Sequence, residues 1–394
     1  MDVLKTIFWI FIFIVFYSYI GYGLFLWAFL KIKRVFIKPV PPNLEDIFEP
    51  EVSLVIATYN EAPILEQKIA NCLAIEYPSD KLKICFVADG SIDETTQIFR
   101  RYPEIELLFE QKRAGKVAAI NRAMQHITTD FVVFCDANTM LNKECIREII
   151  KHYKDEKVGA VAGEKKVIAV GENADAAGAG ESLYWKYESV LKKMDSAFYT
   201  VVGAAGELFS VRTHLYEHVG NEVLLDDFII SMNICKKGYK VVYEPAAFAT
   251  EPPSFSIQEE QKRKIRISAG GFQSVWMLKD LLNIFKYGRL SFQYISHRVL
   301  RWIVCPVLLP SILILNIILA IADNQLFYQF LLAAQIIFYM AAAVGGYYAA
   351  KNIKVKSLYI PYYFVFMNMA LFLGFRRFLN KSQSVLWDKA KRKV

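Results

Sequence analysis

The sequence lacks the features that would point to several common chemistries. Its six cysteines (Cys72, Cys85, Cys135, Cys145, Cys235 and Cys305) form no C-x-x-C pair, so they read as buried reduced thiols, not as a disulfide framework or thiolate metal site. No G-x-G-x-x-G or G-x-x-x-x-G-K follows the first apolar strand pattern, which excludes the glycine-rich phosphate grip of dehydrogenases and P-loop proteins. A nucleotide held here must be gripped by carboxylates, a metal and basic side chains. Charge is missing altogether from Ile7 to Leu30, a run long enough to cross a hydrocarbon core of about 30 Å as a helix. No A-x-A-like cleavage site follows it, so it is an anchor and not a signal peptide.

What is present fits a globular domain between membrane segments. Hydrophobic residues make up 55% of 394, more than a soluble chain of this length carries, and the excess lies at the two ends. The net charge of +8 comes from Lys and Arg beside apolar runs, a pattern suited to anionic headgroups and not to nucleic acid. Lys5 stands alone before the first run, whereas Lys31, Lys33, Arg34 and Lys38 crowd its other end. The positive-inside rule therefore makes the following domain cytoplasmic. Pro39, Pro41 and Pro42 supply a stiff spacer.

Val52–Ala57 predicts a strand, followed by a polar loop and a helix over 64–75. The pattern returns at Ile84–Ala88 with a helix through about Arg101, at Ile105–Phe109 with a helix over about 115–126, and at Phe131–Cys135. Strands alternating with helices imply an α/β fold with a mainly parallel sheet. The first, second and fourth strands each release a polar loop, and ligands of such sheets bind outside the C-terminal strand ends. Those loops carry Thr58 and Glu61, then Asp89, then Asp136 and Asn138. Arg113 and Lys116 flank Gly115 at a helix start, a favourable place for phosphate.

Further along, Leu225-Asp226-Asp227 opens a helix, where Asp226 is either an N-cap or a second acid of the site. Glu181–Met194 reads as an aromatic helix containing Tyr184, Trp185, Tyr187 and Glu188. Ala176–Gly180 reads as a mobile loop, and Gly203-Ala204-Ala205-Gly206 as a small-residue segment that lets a sugar ring approach the backbone.

These residues resemble the family 2 glycosyltransferases of GT-A fold, specifically the membrane-integrated branch of cellulose, chitin, hyaluronan and poly-N-acetylglucosamine synthases. The resemblance runs from about Val52 to Gln273. It implies a UDP-sugar donor, a Mg²⁺ or Mn²⁺ ion, an inverting reaction on the cytoplasmic face of the plasma (inner) membrane, and a polysaccharide or lipid acceptor. It places Asp89, Thr58 and Glu61 at the nucleotide, Lys116 at the diphosphate, and Asp136 and Asn138 in the D-x-D metal motif. Asp227 falls at the general base, with Asp226 beside it, and Arg263 and Arg266 fall in the Q-x-x-R-W region. Trp185, Gly203, Ala204 and Gly206 fall on the acceptor side. The chain departs from the pattern where Asn138 replaces the second Asp of D-x-D, and where Arg263 replaces the Gln and Ile267 the Trp of Q-x-x-R-W.

The expected organisation is an anchor and linker over 1–44, a catalytic domain over 45–271, an amphipathic interface helix region over 272–298, and a C-terminal transmembrane region with basic tail over 299–394. Ile303–Ala322 and Leu326–Ala350 are long enough to span. Leu358–Phe375 either crosses or re-enters, and the basic residues behind it favour a tail on the cytoplasmic side. Besides a polymerase, the pattern admits transfer of one sugar to a lipid or a catalytically silent membrane subunit, and it leaves any partner subunit open.

Overall fold

Strand β1 (Val52–Thr58) is the centre of the catalytic half, pairing in parallel with both β2 (Leu82–Asp89) and β4 (Phe131–Asp136). The computed structural model describes residues 1–36, 48–168, 176–254, 256–323, 325–351, 353, 355–381 and 386, with backbone alone for 176–183 and 356. The Pro39–Pro42 spacer and the basic tail from Lys389 lie outside the described residues.

Eight strands form one sheet in the order β3-β2-β1-β4-β7-β6-β8-β5. The remaining strands are β3 (Glu106–Glu110), β5 (Met140–Leu141), β6 (Val158–Val167), β7 (Leu208–Arg212) and β8 (Lys240–Glu251). The predicted parallel arrangement holds for β3-β2-β1-β4 and again for β6-β8. Strand β7 runs antiparallel between β4 and β6, as does β5 at the edge. Register decides where chemistry can occur. Thr58 pairs with Ala88 and Ala57 with Asp136, so three strand ends stop level and their loops open on one rim.

Helices cover both faces of the sheet. On one face, α2 (Ala62–Leu73), α3 (Thr95–Phe99) and α5 (Cys145–Ile150) bury Leu65, Ile69, Phe99, Ile146 and Ile149 against Leu54, Ile56 and Phe86. On the other, α4 (Lys116–Met124) and α7 (Asp226–Lys236) pack Ile120, Phe228 and Ile230 against Val55, Phe134 and Phe209. All six cysteines are buried and unpaired. The helix expected to reach Arg101 is only the single turn α3.

The membrane half begins with α1 (Asp2–Phe36), a continuous apolar helix with a π-helical turn at Tyr17–Gly21. Helices α9 (Arg289–Ala322) and α10 (Leu326–Ala350) are likewise long and apolar enough to cross a bilayer. Lys5 and Asp323 form an ion pair at 2.8 Å at the end remote from the sheet, whereas Lys33 at the other end of α1 donates to the Ala197 carbonyl of the catalytic half.

Three expectations need correction. Ala176–Gly180 is not a loop but the first turns of α6 (Ala176–Phe198). Its alanines are the best helix formers, and they carry the few glycines along. Phe272–Tyr287 is not one interface helix, and residue 271 is not a boundary. Ser256 caps α8 (Ile257–Met277) by accepting from the Glu259 N–H, so that helix starts well upstream. It ends before a short 3₁₀ turn at Lys279–Leu282, and Asn283 then caps a single turn over Ile284–Tyr287. The span expected to begin at Ile303 begins at Arg289, because its first turns, π-helical over Ile295–Val304, bury Ser296, His297, Arg298 and Arg301 against the catalytic half.

Helix α11 (Lys356–Leu379) is long and apolar enough to span a bilayer, and it packs on α8 as well as on α1 and α10. Tyr359 and Tyr363 cluster with Tyr184 and Ile257 near its start, and Phe375 and Phe378 stack on Phe272 near its end. Between them Gly374 lies so close to α8 that a Cβ would come within 2.5 Å of the Ser268 Cβ. Helix α11 therefore lies along α8, while its middle meets α1 and α10, where Tyr19 donates to Asn368 and Phe364 meets Phe338.

Candidate active site

The level strand ends open into a cleft of about 640 Å³ bounded by the sheet rim, α6, α7, α8 and the first turns of α9. Its first wall is built by loops that brace one another. The Asn60 N–H donates to Ser91 Oγ, the Ala62 N–H donates to Asp93 Oδ2, and the Asn60 carboxamide accepts from the Ile92 N–H. Asn60 has φ 51°, a left-handed conformation that Asn tolerates better than most side chains. One Asp89 oxygen accepts from the Ala114 and Gly115 N–H groups at 3.0 and 2.6 Å and so fixes the turn that leads into α4. The other is buried, with Arg122 at 3.6 Å and no hydrogen bond. Gly90 is required here, because at its φ of 70° a Cβ would come within 2.8 Å of Arg113. Arg113 in turn lies over the Tyr59 ring at 3.6 Å.

The reactive centre lies between this wall and α7. Lys116 Nζ at the start of α4 meets Asp136 Oδ1 at 2.5 Å. From the opposite side comes Gly206, where a Cβ would be 3.2 Å from Lys116 Nζ and 3.4 Å from Asp227 Oδ2. Lys116, paired with Asp136, and Asp227 thus meet beside one glycine although they are distant in sequence. Burial, and after it the neighbouring Asp226, pushes the Asp227 carboxyl up to about 7, although Lys116 pulls against this. Burial depresses Lys116, but Asp136 and the Asp226–Asp227 pair more than compensate and keep it firmly protonated. Asp226 is buried, with one oxygen lacking a hydrogen bond.

The basic wall comes from α8. Arg263 is held by Glu260 through a 3.1 Å hydrogen bond and has Glu251 at 3.6 Å, whereas Arg266 lines the cleft more openly. Burial, followed by repulsion from Arg263, lowers the Arg266 pKa. Thr58, Glu61, Asn138, Trp185, Ala204 and Gly206 also line the cleft. Gly203 does not: it is buried at φ 86°, where a Cβ would come within 2.1 Å of the Phe228 ring, so it permits close packing of α7.

Several cleft residues had no sequence motif to reveal them. Glu188 receives Arg298 and Arg301 at 3.0 and 2.7 Å, and Asp195 accepts from Tyr22 and pairs with the buried His297. These two acids join α6 to α1 and α9. Trp302 lines the cleft, packed on Gly271 and 5.4 Å from Phe228, while Arg377 from the last turn of α11 and Leu386 beyond it also line the cleft. The spacing of Arg298 and Arg301 ahead of an apolar span was the available signal, since charges buried there require partners.

The described residues contain no group of three or more His, Cys, Asp or Glu placed to hold a metal ion. Asp136 and Asn138 provide one carboxylate and one amide oxygen on the rim. That donor set suits a hard cation completing its shell with phosphate oxygens, in the manner of Mg²⁺ sites, and does not make a cage by itself.

Comparison with known proteins agrees with this geometry. Residues 53–220 match the domain described as Glycosyl transferase family 2. Poly-beta-1,6-N-acetyl-D-glucosamine synthases of Staphylococcus aureus are 25% identical over 249 residues, covering 60% of this chain, and the chain spans only 58% of their length. The Staphylococcus epidermidis synthase is 23% identical over 281 residues, 67% of this chain and 66% of its own. Among solved structures, the mannosyltransferase PcManGT from Pyrobaculum calidifontis, in complex with GDP-Man and Mn²⁺, superposes with a TM-score of 0.70 at 22% identity. The superposition covers 95% of this chain and 99% of that one.

Proposed function

From the family 2 glycosyltransferase domain that the chain carries on a GT-A scaffold, we propose that it is a membrane-embedded inverting transferase moving a sugar from a UDP-sugar to a growing polysaccharide. The observation that carries this reading is the meeting beside Gly206 of Asp227 and Lys116, the latter paired with Asp136. Relatives named as poly-N-acetylglucosamine synthases support a polymer product.

Asp89, Thr58 and Glu61 bind the nucleoside end of the donor, and Asp136 and Asn138 are the residues that would hold a divalent ion beside its diphosphate. When bound, that ion neutralises charge on the leaving group. The chain's own groups do the rest. Asp227 takes the proton of the acceptor hydroxyl as that oxygen bonds to the anomeric carbon from the face opposite the leaving group. The bond from carbon to the diphosphate oxygen breaks, and its electron pair leaves with UDP. Lys116 and Arg266 stabilise the charge that develops there. Gly206, lacking a side chain, lets the sugar come close to both Lys116 and Asp227. The catalytic half faces the cytoplasm of the cell, in keeping with the basic end of α1 beside it.

UDP release by the purified full-length protein tests the reading, with UDP-N-acetylglucosamine and other UDP-sugars offered with and without Mn²⁺. Asp136→Ala should abolish release, whereas Asn138→Asp should keep or tighten metal use. Normal turnover by Asp136→Ala would sink the assignment. The size of the labelled product separates polymerisation from addition of a single sugar to a lipid.

A further inference from the structure

The cleft wall opposite the nucleotide contains a cation that the reaction above does not use. Lys192 on α6 is 4% exposed and lines the cleft, and its ammonium makes no hydrogen bond or ion pair with any described residue. The carboxylates near it are already engaged. Glu188 receives Arg298 and Arg301, Glu207 receives Lys165, and Glu164 accepts from the Ser189 hydroxyl. Two neighbouring lysines behave differently: Lys165 pairs with Glu207 and Glu251, and Lys264 has Glu260 at 3.6 Å. A buried ammonium without a counter-ion is costly in a folded protein. Burial, reinforced by Arg298, accordingly lowers the Lys192 pKa.

A second group points the same way. The Trp185 indole N–H is buried without an acceptor, and Lys192 Nζ lies 5.5 Å from the centre of that ring. Both groups are donors only, so what they lack is a ligand rich in acceptor oxygens. Glu207 is an electrostatic neighbour of both Lys192 and Asp227, which puts the pair on the side of the base, where the acceptor must lie.

We propose that Lys192 and the Trp185 N–H form a receptor for an oxyanion carried by the acceptor, a phosphate or a carboxylate. The proposal rests on the transferase reading and names the acceptor's chemistry. The oxyanion comes either from a lipid phosphate or from an acidic sugar of the glycan, and Lys192 positions the acceptor hydroxyl relative to Asp227 by holding that group.

The test uses the full-length protein in detergent with a UDP-sugar that it hydrolyses. A polyprenyl phosphate is compared with the matching polyprenol, and a uronic-acid oligosaccharide with its neutral counterpart. Lys192→Met should raise KM for one of the charged acceptors by about 10- to 100-fold, the loss expected for a hydrogen bond to a charged group, and leave that of its neutral partner and acceptor-independent donor hydrolysis unchanged. The charged acceptor affected identifies the source. Trp185→Phe should raise KM for the same charged acceptor by only a few fold. Equal loss on charged and neutral acceptors, or no loss, overturns the proposal. Should Lys192→Met fail to fold, inhibition of wild-type donor hydrolysis by farnesyl phosphate against farnesol, and by glucuronate against glucose, still decides it. Preference for a charged member supports the site and equal inhibition refutes it. Failure of the transferase reading would show differently, as absence of donor turnover in the wild type, and selective binding of the charged compounds would then be read from thermal shifts.

Discussion

The two walls of the cleft are built on different principles. The nucleotide wall consists of loops released at the ends of adjacent parallel strands, so Thr58, Asp89 and Asp136 are brought level by backbone register alone. The opposite wall consists of side chains from α6, α8 and α9, which meet only because buried acids such as Glu188 and Asp195 join them. The first wall is a property of a sheet and the second of a packed ion network. Substitutions in the first should therefore impair chemistry while leaving the fold intact, and loss of the joining acids in the second should impair the fold itself.

The largest effect is expected at the junction of the walls. Asp227→Asn removes the proposed base and should lower kcat by about 10² to 10⁴-fold with little change in donor KM. Its effect on stability has the opposite sign. The folded pKa of Asp227 lies above the ordinary carboxylate value, so its contribution to stability is present at low pH and is lost as pH rises through about 7. The variant should accordingly unfold at a higher temperature than wild type at pH 8, and less so at pH 5. A variant that is inactive and also less stable at pH 8 would blur the contrast between the walls.

Glu188→Gln comes next. It leaves Arg298 and Arg301, both buried, without their carboxylate, and breaking a buried pair from one side costs about 3 to 5 kcal/mol. Thermal unfolding in detergent should reveal the loss, and residual donor hydrolysis per folded molecule should stay close to wild type. If instead stability is unchanged and hydrolysis collapses, Glu188 belongs to the chemistry and the division of labour fails.

The same division explains how much could be read from the sequence. A strand that ends in an acid leaves a local mark, and the β1, β2 and β4 patterns with Asp89 and Asp136 were legible for that reason. Asp227 was legible as an acidic helix start, though its proximity to Lys116 depends on Gly206 and on the antiparallel β7, which no local pattern specifies. Glu188, Lys192, Arg298 and Trp302 meet across more than a hundred residues, and their individual spacing reads equally well as ordinary amphipathic helix. Ala176–Gly180 was misread as a loop because its glycines were weighed above its alanines, which are the best helix formers. The path of α11 was hidden for a related reason: hydropathy records that a helix prefers an apolar environment, not whether lipid or another helix provides it.

Gly374→Ala tests that last contact with a smaller expected effect. An added methyl would crowd the Ser268 Cβ at 2.5 Å and the Ala269 backbone nitrogen at 2.9 Å, and overpacking of this kind costs about 1 to 3 kcal/mol. Destabilisation is the expected result. An unchanged melting temperature would mean that α11 is not held against α8.

The smallest change should be a displacement of the pH profile. With Asp227 as base, kcat should rise with pH and level off above about 7, because the carboxylate form is the active one. The charged groups around it are Asp226, Lys116 and Glu207. After burial, Asp226 is the strongest influence raising the Asp227 pKa, whereas Lys116 lowers it. Asp226→Asn should therefore move the rising limb towards acid pH and leave the plateau near its wild-type height. Lys116→Met should move the limb towards alkaline pH and also depress the plateau, since Lys116 additionally faces the leaving group. Opposite displacements from two neighbours on different helices would place the titrating group between them. A limb that moves with neither would mean that the titrating group is not Asp227, and the base would then have to be sought elsewhere in the cleft.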